Sequence, residues 1–270
     1  MLLMIIAALA LLGLCLGSFV NALVWRTHEK GLSVLHGRSM CPNCRHQLGV
    51  KDLLPLISWL MLRGKCRYCG QPISVQYPLV ELATALLFVA SYIWWPAPLH
   101  GSQVVLFVIW LPILVGLMAL LVYDLRWMIL PNRLIYPVSY LAAAMAAVTV
   151  ATAHRPLEAL INVVLAVAVG GGLFYVLFQI SGGKWIGGGD VRLGWMLGLI
   201  VATPARSLLF IFLAALMGSL ASLPLLLTKR IKKNSTIPFG PFLIVAAIIV
   251  QLFGHTILAW YQRTFLAFTL

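Results

Sequence analysis

Long apolar runs separated by short polar connections make up most of the chain. A bilayer core is crossed by about 20 mostly apolar residues. Eight stretches meet or approach that length: residues 1–25, 78–95, 104–124, 134–153, 157–180, 190–203, 205–228 and 239–261. The sixth is the shortest and is punctuated by Gly194, Gly198 and Pro204, so the count is open by one. A single long polar insert, from about Arg26 to Gln76, interrupts the pattern after the first run. The pattern predicts an all-α membrane protein of about eight transmembrane helices with a small loop domain between the first and second. The corresponding divisions are a first helix at 1–25, the loop domain at 26–76 and a polytopic bundle at 77–270.

Composition agrees. Of 270 residues, 62% are hydrophobic and 9% charged, with a mean hydropathy of +1.02, whereas soluble domains carry roughly 25% charged residues. Orientation follows from the 19 Lys and Arg residues, because short basic loops stay in the cytoplasm. With the N-terminus outside, sixteen fall in cytoplasmic segments: eight from Arg26 to Arg67, then Arg126, Arg133, Lys184, Arg192, Lys229, Arg230, Lys232 and Lys233. Only Arg155, Arg206 and Arg263 face the other side. Both termini are therefore expected outside and the polar insert in the cytoplasm. The net charge of +13 does not argue for nucleic acid, since these cations sit beside spans, where insertion and anionic membrane lipids account for them. The first run has no basic residue before Arg26, so it reads as a retained span and not a signal peptide. Cys15 within it reads as a small packing residue.

The insert holds four of the five cysteines, as Cys41-Pro-Asn-Cys44 and Cys66-Arg-Tyr-Cys69, 21 residues apart. Paired CxxC knuckles at about this separation suit a metal. Four thiolates meet the tetrahedral preference of Zn²⁺ and close its coordination sphere, so the expected role is structural. A loop of this size has little core of its own, and a metal crosslink would hold it together. Redox dithiols are the alternative, disfavoured by the reducing cytosol. His46 reads as a surface residue, not a ligand.

Only six acidic residues occur: Glu29, Asp52, Glu81, Asp124, Glu158 and Asp190. Asp124 closes the third run and Asp190 opens the sixth, both at cytoplasmic ends. A carboxylate at the edge of hydrocarbon is expensive and marks a functional hypothesis. Two at matching depth could share a proton, one activating water and the other protonating the leaving amide. Two structural readings compete: Asp124 as an ion-pair partner of Arg126 or Arg133, and Asp190 as a helix cap. The Gly170-Gly171-Gly172 run reads as a site of close helix approach.

Beyond these readings, the chain resembles the bacterial type IV prepilin peptidases. The resemblance runs from Gly17-Ser-Phe-Val-Asn21 to Pro238-Phe-Gly240 and includes Leu48, Asp52, Pro55, Ser58-Trp59, Arg63-Gly64, Ile73, Tyr77-Pro78 and Glu81 around the cysteines. It also includes the Asp124 segment ending in Leu130-Pro131-Asn132 and the GxGD motif at Gly187–Asp190, shared with presenilin-like intramembrane proteases. The resemblance implies a multi-pass aspartic peptidase of the bacterial inner membrane, with Asp124 and Asp190 as catalytic pair. The implied substrates are prepilins of type IV pili or pseudopilins of type II secretion, whose short basic leader is removed after a glycine at the cytoplasmic face. It further implies N-methylation of the new N-terminal residue with S-adenosylmethionine. No glycine fingerprint of a dinucleotide fold is present to hold that cofactor, so its contacts stay unassigned. Glu29, Asp52 and Glu81 are candidates near the methylation site, with ion pairing to neighbouring cations as the alternative. Arg192 stands where the family often has lysine, which keeps charge and alters hydrogen-bond geometry.

Two other classes fit parts of the pattern. An ion-coupled transporter would use intramembrane carboxylates, although such sites usually sit at the bilayer midplane. A nonenzymatic scaffold would use the zinc module to dock a partner.

Overall fold

The computed structural model describes residues 1–29, 33, 37–227 and 237–266. Lys30, Lys229, Arg230, Lys232 and Lys233, which contribute to the orientation argument, lie outside the described residues.

Helices dominate the described residues, which contain no strand beyond two isolated bridges, Met40–Gln47 and Lys65–Pro72. In chain order they are α1 (Leu2–His28), a single 3₁₀ turn at Val50–Asp52, the short α2 (Ile57–Met61), α3 (Gln76–Ile93), α4 (Ser102–Trp127), α5 (Asn132–Ala151), α6 (Pro156–Ser181), α7 (Gly188–Val201), α8 (Pro204–Leu227) and α9 (Gly240–Tyr261). Seven of these are long and apolar enough to cross a membrane: α1, α3, α4, α5, α6, α8 and α9. Proline lies inside α4, α5 and α8, at Pro112, Pro137 and Pro224, as membrane helices tolerate.

The sixth expected span, 190–203, is present two residues earlier as α7 and is as short as expected. α7 has 14 residues, about 21 Å of helix at 1.5 Å per residue. It is stopped by Ala202 in the left-handed region (φ 58°), whose N–H bonds Gly198 O at 3.0 Å. Pro204 opens α8, where a proline's missing N–H costs nothing. α7 buries Val191, Leu193, Gly194, Met196, Leu197, Gly198, Ile200 and Val201. Arg192 and Trp195 stay exposed on its remaining side, so other helices cover most but not all of α7.

The chain forms two compact units. The first comprises Met1–Ile93 with Leu114–Val122. In it α1 and α3 pack backbone to backbone: a Cβ added at Gly17 would lie 2.6 Å from Glu81 Cα, and one at Gly13 2.6 Å from Ala85 Cα. Buried Asn21 joins them, donating to Tyr77 O at 3.1 Å and accepting from Gln76 Nε2 at 3.3 Å. Cys15 lies on the exposed side of α1 and so does not pack in the interior as expected.

The second unit comprises Trp94–Ile113 with Tyr123–Leu270. Here α7 packs against α5, α6 and α9. Gly170 does permit the close approach its run suggests, facing Gly194 O across the α6–α7 contact. The buried Ser207 hydroxyl of α8 donates to Ala166 O of α6 at 2.9 Å.

Candidate metal module and paired carboxylates

The two CxxC segments fold alike. Cys41 N–H bonds His46 O (3.0 Å) and Arg45 N–H returns to Cys41 O (2.9 Å); Cys66 N–H bonds Gln71 O (2.8 Å) and Gly70 N–H returns to Cys66 O (3.0 Å). Each turn needs a left-handed residue after its second cysteine, Arg45 (φ 57°) in one and Gly70 (φ 69°) in the other. Glycine is the residue that adopts this region without strain.

These turns bring the four sulfurs of Cys41, Cys44, Cys66 and Cys69 within 4.8 Å of one another, with Cys41 and Cys69 Sγ 4.0 Å apart. A tetrahedron with arms of about 2.3 Å has edges of about 3.8 Å, so the cluster could hold one metal ion. Its electrostatics point the same way. Burial alone would raise the Cys66 thiol, but the Cys69 and Tyr68 N–H groups and the Cys69 and Cys41 thiols bring it down to about 7. Cys69 goes the other way, to about 11: the Gln71 N–H favours its thiolate, yet burial and its three sulfur neighbours outweigh that. Four thiolates crowded together need a cation among them. His46 stands outside the cluster, exposed and stacked on Tyr68 with ring centroids 3.7 Å apart.

Around the cluster, Asp52 accepts from Arg67 Nε at 2.6 Å and Tyr68 OH at 2.9 Å. Burial opposes the Asp52 charge, but these bonds and the Gly49 N–H hold its carboxyl below the usual range. Glu29 pairs with Arg45 at 3.8 Å. The ion-pair alternative therefore describes Glu29 and Asp52. It does not describe Glu81, which is buried and accepts the Leu56 N–H at 2.8 Å and a bond from Ser18.

Asp124 and Asp190 both belong to the second unit. Asp124 lies one turn before the end of α4, which closes at Met128 in the left-handed region (φ 53°) with its N–H on Asp124 O at 2.8 Å. Asp190 is the third residue of α7. Asp124 is 5% exposed, and Asp190 is close enough for the two charges to act on each other. The connection runs through Leu130 and Gly240. A Cβ added at Gly240 would lie 2.5 Å from Asp124 Oδ2 and 3.5 Å from Leu130 Cδ1, and one at Gly189 would lie 3.1 Å from Leu130 Cβ. The Gly240 N–H, at the start of α9, donates to the Asp124 carboxylate. Arg192 of α7 donates to Asn132 Oδ1 at the start of α5.

The competing structural readings fare differently. Among the described residues no Lys or Arg pairs with Asp124, and Arg126 lies over the Trp127 ring, 5.5 Å from its centroid. Asp190 does serve as a cap, accepting the Gly187 N–H at 3.3 Å. The contributions of Gly240 and Leu130 were not anticipated from the sequence, where both stood in recognised motifs without an assigned task.

Together these features define a multi-pass membrane protein with a four-thiol cluster that could hold a metal in one unit and two carboxylates at helix ends in the other. Residues 11–95 match the Bacterial Peptidase A24 N-terminal domain, and residues 111–223 match the Type IV leader peptidase family. The sequence is 33% identical over 259 residues to a prepilin leader peptidase/N-methyltransferase of Bacillus subtilis, covering 96% of this chain and 98% of that protein. It is 34% identical to the protein of the same name from Aeromonas hydrophila (88% of this chain, 79% of that one). For the Pseudomonas aeruginosa protein the figure is 31%, with 96% and 92% covered. No solved structure matches. The chain belongs to the type IV leader peptidase family and is an enzyme with peptidase and methyltransferase activity.

Proposed function

We propose that this enzyme removes the basic leader from type IV prepilins or type II secretion pseudopilins, after a glycine at the cytoplasmic face of the bacterial inner membrane, and methylates the new N-terminus. The names of its relatives supply the substrate class. The observation that carries the mechanism is the proximity of Asp124 and Asp190 at the ends of two helices, without a cation paired to Asp124 among the described residues. One carboxylate takes a proton from water as its oxygen attacks the glycine carbonyl. The other, protonated, gives its proton to the leaving amine as the C–N bond breaks. The products are the leader's carboxylic acid and the neutral pilin amine, between which a proton then passes to give carboxylate and ammonium, and the two aspartates have exchanged protonation states. Placement near helix ends also disfavours the transporter reading, whose carboxylates would sit midway.

S-adenosylmethionine would supply a methyl group to that amine. A carboxylate suits its sulfonium or the pilin amine, and Glu81, the member of the three acidic candidates without an ion pair among the described residues, fits best. The metal of the cysteine module is taken as Zn²⁺, holding the insert's fold. The test is purified enzyme with a prepilin and S-adenosylmethionine, followed by mass spectrometry. Leader loss plus the mass of one methyl group is expected; an uncut prepilin would overturn the reading.

A separate prediction concerns the metal. Cys41→Ser should reduce bound zinc from one ion per chain to a small fraction of that and expose amides 38–73 to hydrogen exchange. Leader cleavage should persist, because Asp124 and Asp190 belong to the other unit. Zinc analysis and peptide-resolved exchange on the full chain check it. Zinc retained at one ion per chain, or leader cleavage lost together with the zinc, would contradict it.

A further inference from the structure

The metal module carries an apolar stripe that its own core does not use. Val50, Leu53, Leu54, Ile57, Leu60 and Met61 are all exposed, Leu60 at 66% and Met61 at 77%. Ile57, Leu60 and Met61 share one face of α2 by their three- and four-residue spacing, and Val50, Leu53 and Leu54 are exposed in the stretch that leads into it. The opposite side is fixed inward: the Trp59 indole N–H donates to Ile73 O at 3.2 Å. On a water-facing module such a stripe marks an interaction site.

Its depth follows from a part-buried bond. Leu56, the residue before α2, donates its N–H to Glu81, and Glu81 is the sixth residue of α3. That is about 7.5 Å along the helix from its start at Gln76. With 18 residues, α3 reaches about 27 Å, barely the hydrocarbon thickness. Little of α3 can therefore stand outside the bilayer, and the level of Glu81 is at or below the headgroup boundary. α2 begins at that level. Amphipathic segments lying in this zone bury their apolar side roughly 5–10 Å into the headgroup–acyl boundary.

The charges beside the stripe select the partner. Lys51, Arg63 and Lys65 flank it with exposed side chains, while the two acidic groups of the module, Glu29 and Asp52, are engaged by Arg45 and Arg67. Free cations next to apolar side chains complement an anionic lipid surface. They would repel the basic leader of a prepilin.

We infer that the Val50–Met61 stripe is a membrane-docking surface, which seats the metal module in the headgroup–acyl boundary of an anionic bilayer through Ile57, Leu60 and Met61, with Lys51, Arg63 and Lys65 on lipid phosphates. The test places a photocrosslinking benzoylphenylalanine at position 60, and separately at 61, in the full zinc-loaded chain reconstituted in phosphatidylglycerol/phosphatidylethanolamine vesicles. Position 47 is the control, and zinc content and leader cleavage report that each variant folds. Lipid adducts at 60 and 61 but not 47 are expected, with yield falling by at least about twofold when phosphatidylglycerol is replaced by phosphatidylcholine. No lipid adduct at 60 or 61, an equal yield at 47, or adducts to added prepilin in place of lipid would overturn the proposal. An unchanged yield without anionic lipid would overturn its electrostatic half. As a label-free measurement, Leu60→Glu with Met61→Glu should speed tryptic cleavage at Arg63 in vesicles by at least about tenfold; an unchanged rate counts against docking.

Discussion

Asp124→Asn and Asp190→Asn should each lower leader cleavage by at least about 10³-fold in kcat/KM, since a positioned acid or base contributes about 10²–10⁴-fold. Neither variant should unfold. Asparagine keeps the shape of the side chain and a carbonyl oxygen, so Asn at 190 can still accept the Gly187 N–H that Asp190 accepts at 3.3 Å. Asn at 124 can likewise still accept the Gly240 N–H. The substitution therefore separates the two roles of Asp190: capping survives, and proton transfer does not. Because the carboxylates act as a unit, the double variant should lose little more than either single one. Mass spectrometry of the prepilin product measures cleavage, and hydrogen exchange across α7 measures the cap. Cleavage within about tenfold of wild type in either folded variant would remove that residue from the mechanism.

How far the sequence reaches is clearest at the cysteines and the helices. The metal cluster was legible because its ligands come in two local turns, each closed by bonds within about six residues, so CxxC spacing alone nearly determines the geometry. The seven long spans were legible because apolar length is a bulk property of the chain. α7 was legible as a short segment of the same length, but its ends were placed two residues late: the stop is Ala202, whose left-handed backbone carries no residue-type signal. The carboxylate pair was legible as two candidates and illegible as a site. What joins them is long-range: the start of α9 on Asp124, Leu130 beneath Gly189, and Arg192 on Asn132. Tertiary packing makes these contacts, and no periodicity reports them. For the same reason Glu81, Asp52 and Glu29 looked alike in sequence, and only the fold distinguishes the buried Glu81, which has no ion pair among the described residues, from the two ion-paired carboxylates.

Gly240 gives the sharpest test of that long-range geometry. Its backbone is not in the left-handed region, the positive-φ glycines being Gly37, Gly64, Gly70, Gly101, Gly182 and Gly183, and it opens a helix. Alanine is thus conformationally acceptable there, and on helix propensity alone would be favoured by up to about 1 kcal/mol. What opposes it is the Asp124 carboxylate, whose Oδ2 would lie 2.5 Å from the new Cβ, a contact that forces either the carboxylate or the start of α9 to move. Gly240→Ala should therefore destabilise the protein by about 1–3 kcal/mol, the usual cost of overpacking. It should also lower kcat by at least about 10²-fold with a smaller change in KM, since a displacement near 1 Å is enough for such a loss. In an Asp124→Ala background the obstacle is gone, and the nearest remaining atom is Leu130 Cδ1 at 3.5 Å, an ordinary contact. The same Gly240→Ala change should there be neutral or slightly stabilising. Unfolding of the four proteins of this double-mutant cycle in one detergent measures the difference. An equal penalty in both backgrounds would mean that Gly240 is required by its own backbone and not by the carboxylate it faces.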